Sequence, residues 1–346
     1  MSGSDLNQQP PPPAAVKNIL IWHRGALGDL LLSGPALEGL AAHYPEARFS
    51  LCGSPAGLAL LRQNLRVANI WDSQASQWTP LFMASSPLPS SLKSALGDID
   101  LAVLCTPHPQ PDLAGSLQEV GIKSILWIPS FPQHHLLPLA KFQALHLSGW
   151  GIEVKQQPFR LNFGAEEESA ARQWFLSLRQ EKSGPVIALA PGSGHRLKNW
   201  PLACYQELAP RLEKELGARL LWILGPAEEG WKQQLKVNGR QGERQFLDYL
   251  SLRLLASRLQ LCQLHIGNDS GITHLAAATG GPTVVAIFGP SEARIWAPPG
   301  PQVTILSSAL DCAPCTRGRE ISCTSPLCLQ ELTVEQVMSA ALRVFK

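Results

Sequence analysis

The chain has 346 residues, 45% of them apolar and only 16% charged, which is long enough for more than one buried core. Its 29 Lys and Arg face 27 Asp and Glu, a net charge of +2. That near balance, without any long basic run, excludes a general nucleic-acid binder. No apolar stretch approaches the ~20 residues a membrane span needs, and the start MSGSDLNQQPPPPAAVKN lacks the basic-then-apolar order of a signal peptide. The expectation is a cytoplasmic protein, with peripheral contact at the inner face of the cytoplasmic membrane left open.

In chain order, residues 1–17 read as a disordered Pro-rich tail. Strand-like apolar runs follow at 19–22, 48–52, 101–105 and 124–128, alternating with helical patterns near 30–43, 57–63, 112–120 and 134–147. Between them, 72–91 is rich in Ser, Pro and Gln, has little periodicity, and reads as a long surface loop. A break at 151–164 divides the chain into domains of 18–160 and 161–346. A helix at 165–178 opens the second part, whose strands fall at 186–190, 219–224, 262–266 and 283–288, with an edge at 303–306. Its further helices fall at 201–216, 228–237, 252–258 and 270–278. A last helix, 334–345, starts with the capping box Thr333-x-x-Gln336 and is free to pack back on the first domain. Alternating strands and helices specify a parallel α/β sheet, and two such units predict a central cleft at the carboxyl ends of the strands.

Three glycine-containing turns carry the chemistry. GNDSGITHLAAA, residues 267–278, reads as strand, tight glycine turn and helix. Such a turn points backbone N–H groups and the positive end of a helix at a phosphate. A carboxylate would repel that phosphate, so the backbone of Ser270, Gly271 and Ile272 is assigned to it. Asp269 either caps the helix or holds sugar hydroxyls, and His274, one turn in, is structural or supporting. PGSGHRLKNWP, residues 191–201, leaves a buried strand and offers Ser193, Arg196 and Lys198 to a diphosphate, although an ordinary exposed loop has the same look. After another strand, Glu228 in GPAE could receive ribose hydroxyls. Near the start, GALGD (25–29) lacks the third glycine of a dinucleotide fingerprint. Asp29, after Gly28, is open to two roles: helix cap or general base.

Eight cysteines divide into two groups. Cys52, Cys105, Cys204 and Cys262 sit singly as small hydrophobes. Cys312, Cys315, Cys323 and Cys328 cluster with a spacing unlike a zinc ribbon, and are either reduced structural thiols or a metal or redox-sensitive group.

Taken together, GxxGD before a Pro35-Ala36-Leu37 helix, PGSGHRLKNWP, NDSGITHLAAATGGP, FGPSEARIWAP and the cysteine-containing tail resemble glycosyltransferase family 9, the bacterial heptosyltransferase family. The resemblance runs from about Asn18 to the end and is densest after Val186. It implies an α/β GT-B fold with two Rossmann-like domains facing a central cleft. It also implies inverting transfer without metal or cofactor, from a nucleotide-sugar donor, by default ADP-heptose, to a lipid-linked glycan acceptor such as a lipopolysaccharide-core sugar. The acceptor would meet the N-terminal domain and the donor the C-terminal one. Asp29 would be the base, Lys198 the diphosphate-neutralising cation and Asp269 the sugar-binding acid. Arg62 and Arg66, read as lying on one helix, are candidates for an anionic acceptor, and solvation explains them as well. An epimerase of the same architecture and a non-catalytic nucleotide-sugar binder are the alternatives. Oligomeric state, acceptor and exact sugar are not legible.

Overall fold

The computed structural model describes residues 9–83, 88–132, 136–179, 184–237, 245–315, 321 and 323–345. Two units divide between Phe159 and Arg160. The first carries β1 (Asn18–His23), β2 (Arg48–Gly53), β3 (Val67–Asp72), β4 (Leu101–Thr106) and β5 (Ser124–Pro129), ordered β3-β2-β1-β4-β5. The second carries β6 (Val186–Ala190), β7 (Arg219–Leu224), β8 (Gln245–Asp248), β9 (Leu264–Asn268), β10 (Thr283–Phe288) and β11 (Val303–Ser307), ordered β11-β10-β9-β6-β7-β8. All pairings are parallel. Crossover helices cover the sheet faces, so central strands such as LAVLCT and VIALA are buried along their whole length.

Several expectations need correction. The helix expected at 30–43 is two, Leu27–Leu32 and Gly34–His43, because Pro35 supplies no amide to continue the first. The Pro-rich tail is ordered from residue 9: Pro13–Ala15 forms a turn, Val16 is buried, and the Tyr44 hydroxyl donates to the Pro11 carbonyl at 3.0 Å. Residues 1–8 lie outside the described residues. The expected surface loop at 72–91 is mostly structured. Ser76–Phe82 coils as a 3₁₀ segment that buries Trp78 and Leu81, with Trp78 edge-on to Trp22 at 5.8 Å, and Ser90–Leu96 is helical. Residues 84–87 of that stretch are outside the description, as are 133–135 at the expected start of the helix observed at Leu139–Ser148.

Strands β3 and β8 lie at sheet edges and carry weak signals, β3 being largely exposed. β9 begins two residues later than expected, so Gly267 and Asn268 are strand residues and the turn starts at Asp269. The last helix, Val334–Arg343, keeps its Thr333/Gln336 capping box and packs on Leu202–Leu216 within the second unit. Its Val334, Val337, Met338, Ala340 and Ala341 complete that unit's own core. Among the described residues, no helix is long and apolar enough to cross a membrane.

Candidate functional site

Each sheet has one place where the chain's course reverses: between β1 and β4 in the first, between β6 and β9 in the second. Crossovers leave such a point on opposite faces, opening a crevice at the carboxyl ends of the strands. The loops after β6 and β9 are the two phosphate candidates, and the loop after β1 carries Asp29. In the second sheet, the adjacency of β6 and β9 brings together two loops far apart in sequence.

On the second sheet, Lys198 ends a single 3₁₀ turn, Arg196–Lys198, and its Nζ lies 2.7 Å from Oδ2 of Asp269. The Asp269 side chain is 8% exposed and that of Lys198 28%. Asp269 does not cap the helix. That role belongs to Ser270, whose hydroxyl accepts from the Thr273 amide at 3.4 Å, leaving Gly271 and Ile272 as the first helical residues. Amides in a first helical turn have no partner within the helix. Ser193 is folded back, its hydroxyl donating to the His195 carbonyl at 2.8 Å, and Arg196 is exposed. Glu228 is buried and its Oε2 accepts the Gly225 amide at 2.8 Å. A methyl group on Gly192 would sit 2.2 Å from Glu228 Oε1, so this carboxylate lies directly against the PGSG loop. His274 is buried in its helix.

On the first sheet, Asp29 is the third residue of its helix, and its Oδ2 accepts the Ala26 amide at 3.0 Å. Capping is thus real, and it engages one carboxylate oxygen. Gly28 lies one residue earlier on that turn.

A family model for glycosyltransferase family 9 (heptosyltransferase) matches residues 133–323, more than half of the chain. The chain belongs to this family. It is 24% identical over 344 residues to lipooligosaccharide heptosyltransferase 2 of Campylobacter jejuni, covering 92% of this chain and 96% of the relative. It is 28% identical over 320 residues to lipopolysaccharide heptosyltransferase 1 of Pseudomonas aeruginosa, covering 86% of each. Among solved structures, ADP-heptose lipopolysaccharide heptosyltransferase II of E. coli superposes with a TM-score of 0.71 at 18% identity, covering 94% of this chain and 98% of that one. The two α/β units are accordingly those of a GT-B glycosyltransferase.

Other expected groups of this family 9 glycosyltransferase fall differently. Arg62 lies in the 3₁₀ turn Ala59–Gln63, but Arg66 lies beyond it, hydrogen-bonded to the Pro45 carbonyl and 3.6 Å from Glu46, so the two do not share a helix. Cys312 is exposed, Cys315 and Cys323 are half-buried and Cys328 is buried, all as free thiols. Among the described residues, no group of three or more His, Cys, Asp or Glu is placed to hold a metal.

Sequence reasoning missed the polar network beneath the turn after β9. The Thr273 hydroxyl donates to the Asn268 carbonyl at 2.6 Å, so its oxygen accepts from His265 Nε2 at 3.3 Å. His265 is then the Nε2–H tautomer, and its Nδ1 meets no partner among the described residues. Burial pushes its pKa down to about 3. Unfolded, it would titrate near 6.5. Between those values the unfolded chain binds the extra proton, so stability is lost as pH falls from about 6.5 toward 3. Urea titrations across that window should show a slope of up to about 1.4 kcal/mol per pH unit, which His265→Gln flattens.

Gly267 fits tightly into the same network. A β-carbon there would lie 2.6 Å from Thr273 Oγ1 and 2.7 Å from His265 Nε2. Gly267→Ala should cost about 1–3 kcal/mol in denaturant midpoint analysis, because Thr273 and His265 must be displaced to admit the methyl group.

Proposed function

We propose that this glycosyltransferase moves a heptose from ADP-heptose to a sugar of the lipopolysaccharide core or a related lipid-linked glycan, inverting the anomeric centre. The observation that carries this reading is the Lys198–Asp269 pair at the first turn of the Gly271–Thr279 helix, at the crossover point of the second sheet. A cation and helix amides together there suit a departing diphosphate, beside a carboxylate suited to sugar hydroxyls, which supports the reading. The Campylobacter and Pseudomonas relatives are named as heptosyltransferases and the E. coli structure as an ADP-heptose enzyme, which favours that donor.

In this mechanism Asp29 takes the proton of the acceptor hydroxyl. The hydroxyl oxygen bonds to the anomeric carbon on the face opposite ADP. The bond from that carbon to the diphosphate oxygen breaks, and its electron pair leaves with ADP. Lys198 and the amides of Ser270, Gly271 and Ile272 receive the developing charge, with Ser193 and Arg196 alongside. Asp269 orients sugar hydroxyls and Glu228 the ribose, while Gly28 and His274 shape the turns. This arrangement calls for no metal, since Lys198 and the helix amides supply the positive potential. The first unit would receive the acceptor and the second the donor, with peripheral contact at the cytoplasmic membrane face supplied by the acceptor's lipid.

Incubating the protein with ADP-heptose, with and without a lipid-linked core acceptor, tests the reading. Transfer only when acceptor is present, with the product anomer opposite to the donor's, is expected. Conversion of the donor sugar without acceptor would instead indicate an epimerase, and binding without turnover a nucleotide-sugar binder.

A further inference from the structure

The geometry points to Asn268 as the positioning residue of the donor site: one buried carboxamide fixes the spacing of the PGSG loop, the Lys198 turn and Asp269. This rests on the donor-site reading above and adds a residue that neither the loops nor the ion pair account for.

Asn268 is the last residue of β9 and is fully buried. Its Nδ2 donates to the Pro191 carbonyl at 2.6 Å, where the PGSG loop leaves β6. Its Oδ1 accepts the backbone amide of Trp200 at 3.0 Å, two residues beyond Lys198, and the hydroxyl of Tyr205 at 3.1 Å. The orientation of the carboxamide is fixed by its partners. A carbonyl can only accept and a backbone amide can only donate, so nitrogen faces Pro191 and oxygen faces Trp200. Both ends of the 191–200 loop are therefore tied to one side chain. The next residue along the chain is Asp269, whose carboxylate holds Lys198 at 2.7 Å. Trp200 is anchored a second time, its Nε1 donating to the Leu332 carbonyl at 2.8 Å, so the loop end cannot drift to compensate.

No other amino acid reproduces these bonds. Asp would set a carboxylate oxygen against the Pro191 carbonyl, with two acceptors facing each other in a buried place. Ser is too short to span both loop ends. Either change should leave Lys198 and Asp269 present but misplaced, and a displacement of about an ångström is enough to weaken binding and turnover sharply.

The test is a double-mutant cycle on ADP affinity, measured by calorimetry well below the melting temperature, with Asn268→Asp and Lys198→Ala singly and together. Asn268→Ser replaces Asn268→Asp if the latter does not fold. Leu212→Ala, a core truncation in the second unit, serves as a destabilised control. The expected result is about tenfold weaker ADP binding for each single variant, with Lys198→Ala costing less than about threefold once Asn268 is replaced. Leu212→Ala should melt earlier and still bind ADP normally. Full, additive losses would overturn the positioning role, as would normal ADP affinity in the folded Asn268 variant. If Lys198→Ala itself leaves ADP binding unchanged in the wild-type background, the donor-site reading fails first, and the two failures are told apart.

Discussion

Asp29→Asn should lower kcat for sugar transfer by about 10²–10⁴-fold while ADP affinity stays within about twofold of wild type. The substitution separates the two roles open to this residue. An asparagine Oδ1 still accepts the Ala26 amide now held by Asp29 Oδ2, so the start of the helix Leu27–Leu32 is preserved. What is lost is the ability to take a proton from the acceptor hydroxyl. Steady-state transfer assays at saturating donor read the effect directly. Transfer at the wild-type rate would leave Asp29 as a cap alone and require another base.

Lys198→Ala should weaken ADP binding about tenfold and destabilise the free protein as well. In the free protein, the ammonium is the 2.7 Å partner of the nearly buried Asp269 carboxylate. Removing one member of such a pair leaves the other charge poorly solvated. ADP at ~100 times its dissociation constant stabilises the wild type by about 2.7 kcal/mol. The same concentration after a tenfold loss of affinity gives about 1.4 kcal/mol. Thermal melts with ADP, UDP and GDP check both the lysine and the base. A shift with UDP or GDP in place of ADP would keep a transferase and discard an ADP-heptose donor. Equal ADP stabilisation of wild type and variant would remove Lys198 from the phosphate site.

Strands β6, β7 and β10 are legible to the residue, because a parallel strand buried on both faces must be a continuous apolar run. β3 and β8 are not, since an edge strand needs no such run: VANIWD alternates poorly and QFLD has four residues. Lys198 and Asp269 are legible as candidate site residues because each sits in a glycine-rich loop after a core strand. Their pairing is not, since it depends on strand order, and β6 meets β9 only after the chain has built β7 and β8. His265 and Asn268 read as polar interruptions of an apolar run. Their meaning comes from partners elsewhere in the chain, Trp200 being 68 residues from Asn268. The order in the tail was hidden for a related reason: its prolines make no periodic pattern, and what holds them is one hydroxyl of Tyr44 and a buried Val16.

The anchoring of Trp200 by Leu332 has a consequence for biosynthesis, because the two residues lie 132 positions apart. At roughly 5–20 residues per second, on the order of ten seconds pass between the emergence of one and of the other. Throughout that interval the face of Leu202–Leu216 that will meet Val334–Arg343 stands uncovered, while the first unit already has every residue of its own core. The nascent second unit is thus the part exposed to aggregation, and chaperone capacity during expression should govern how much of the chain completes its second core.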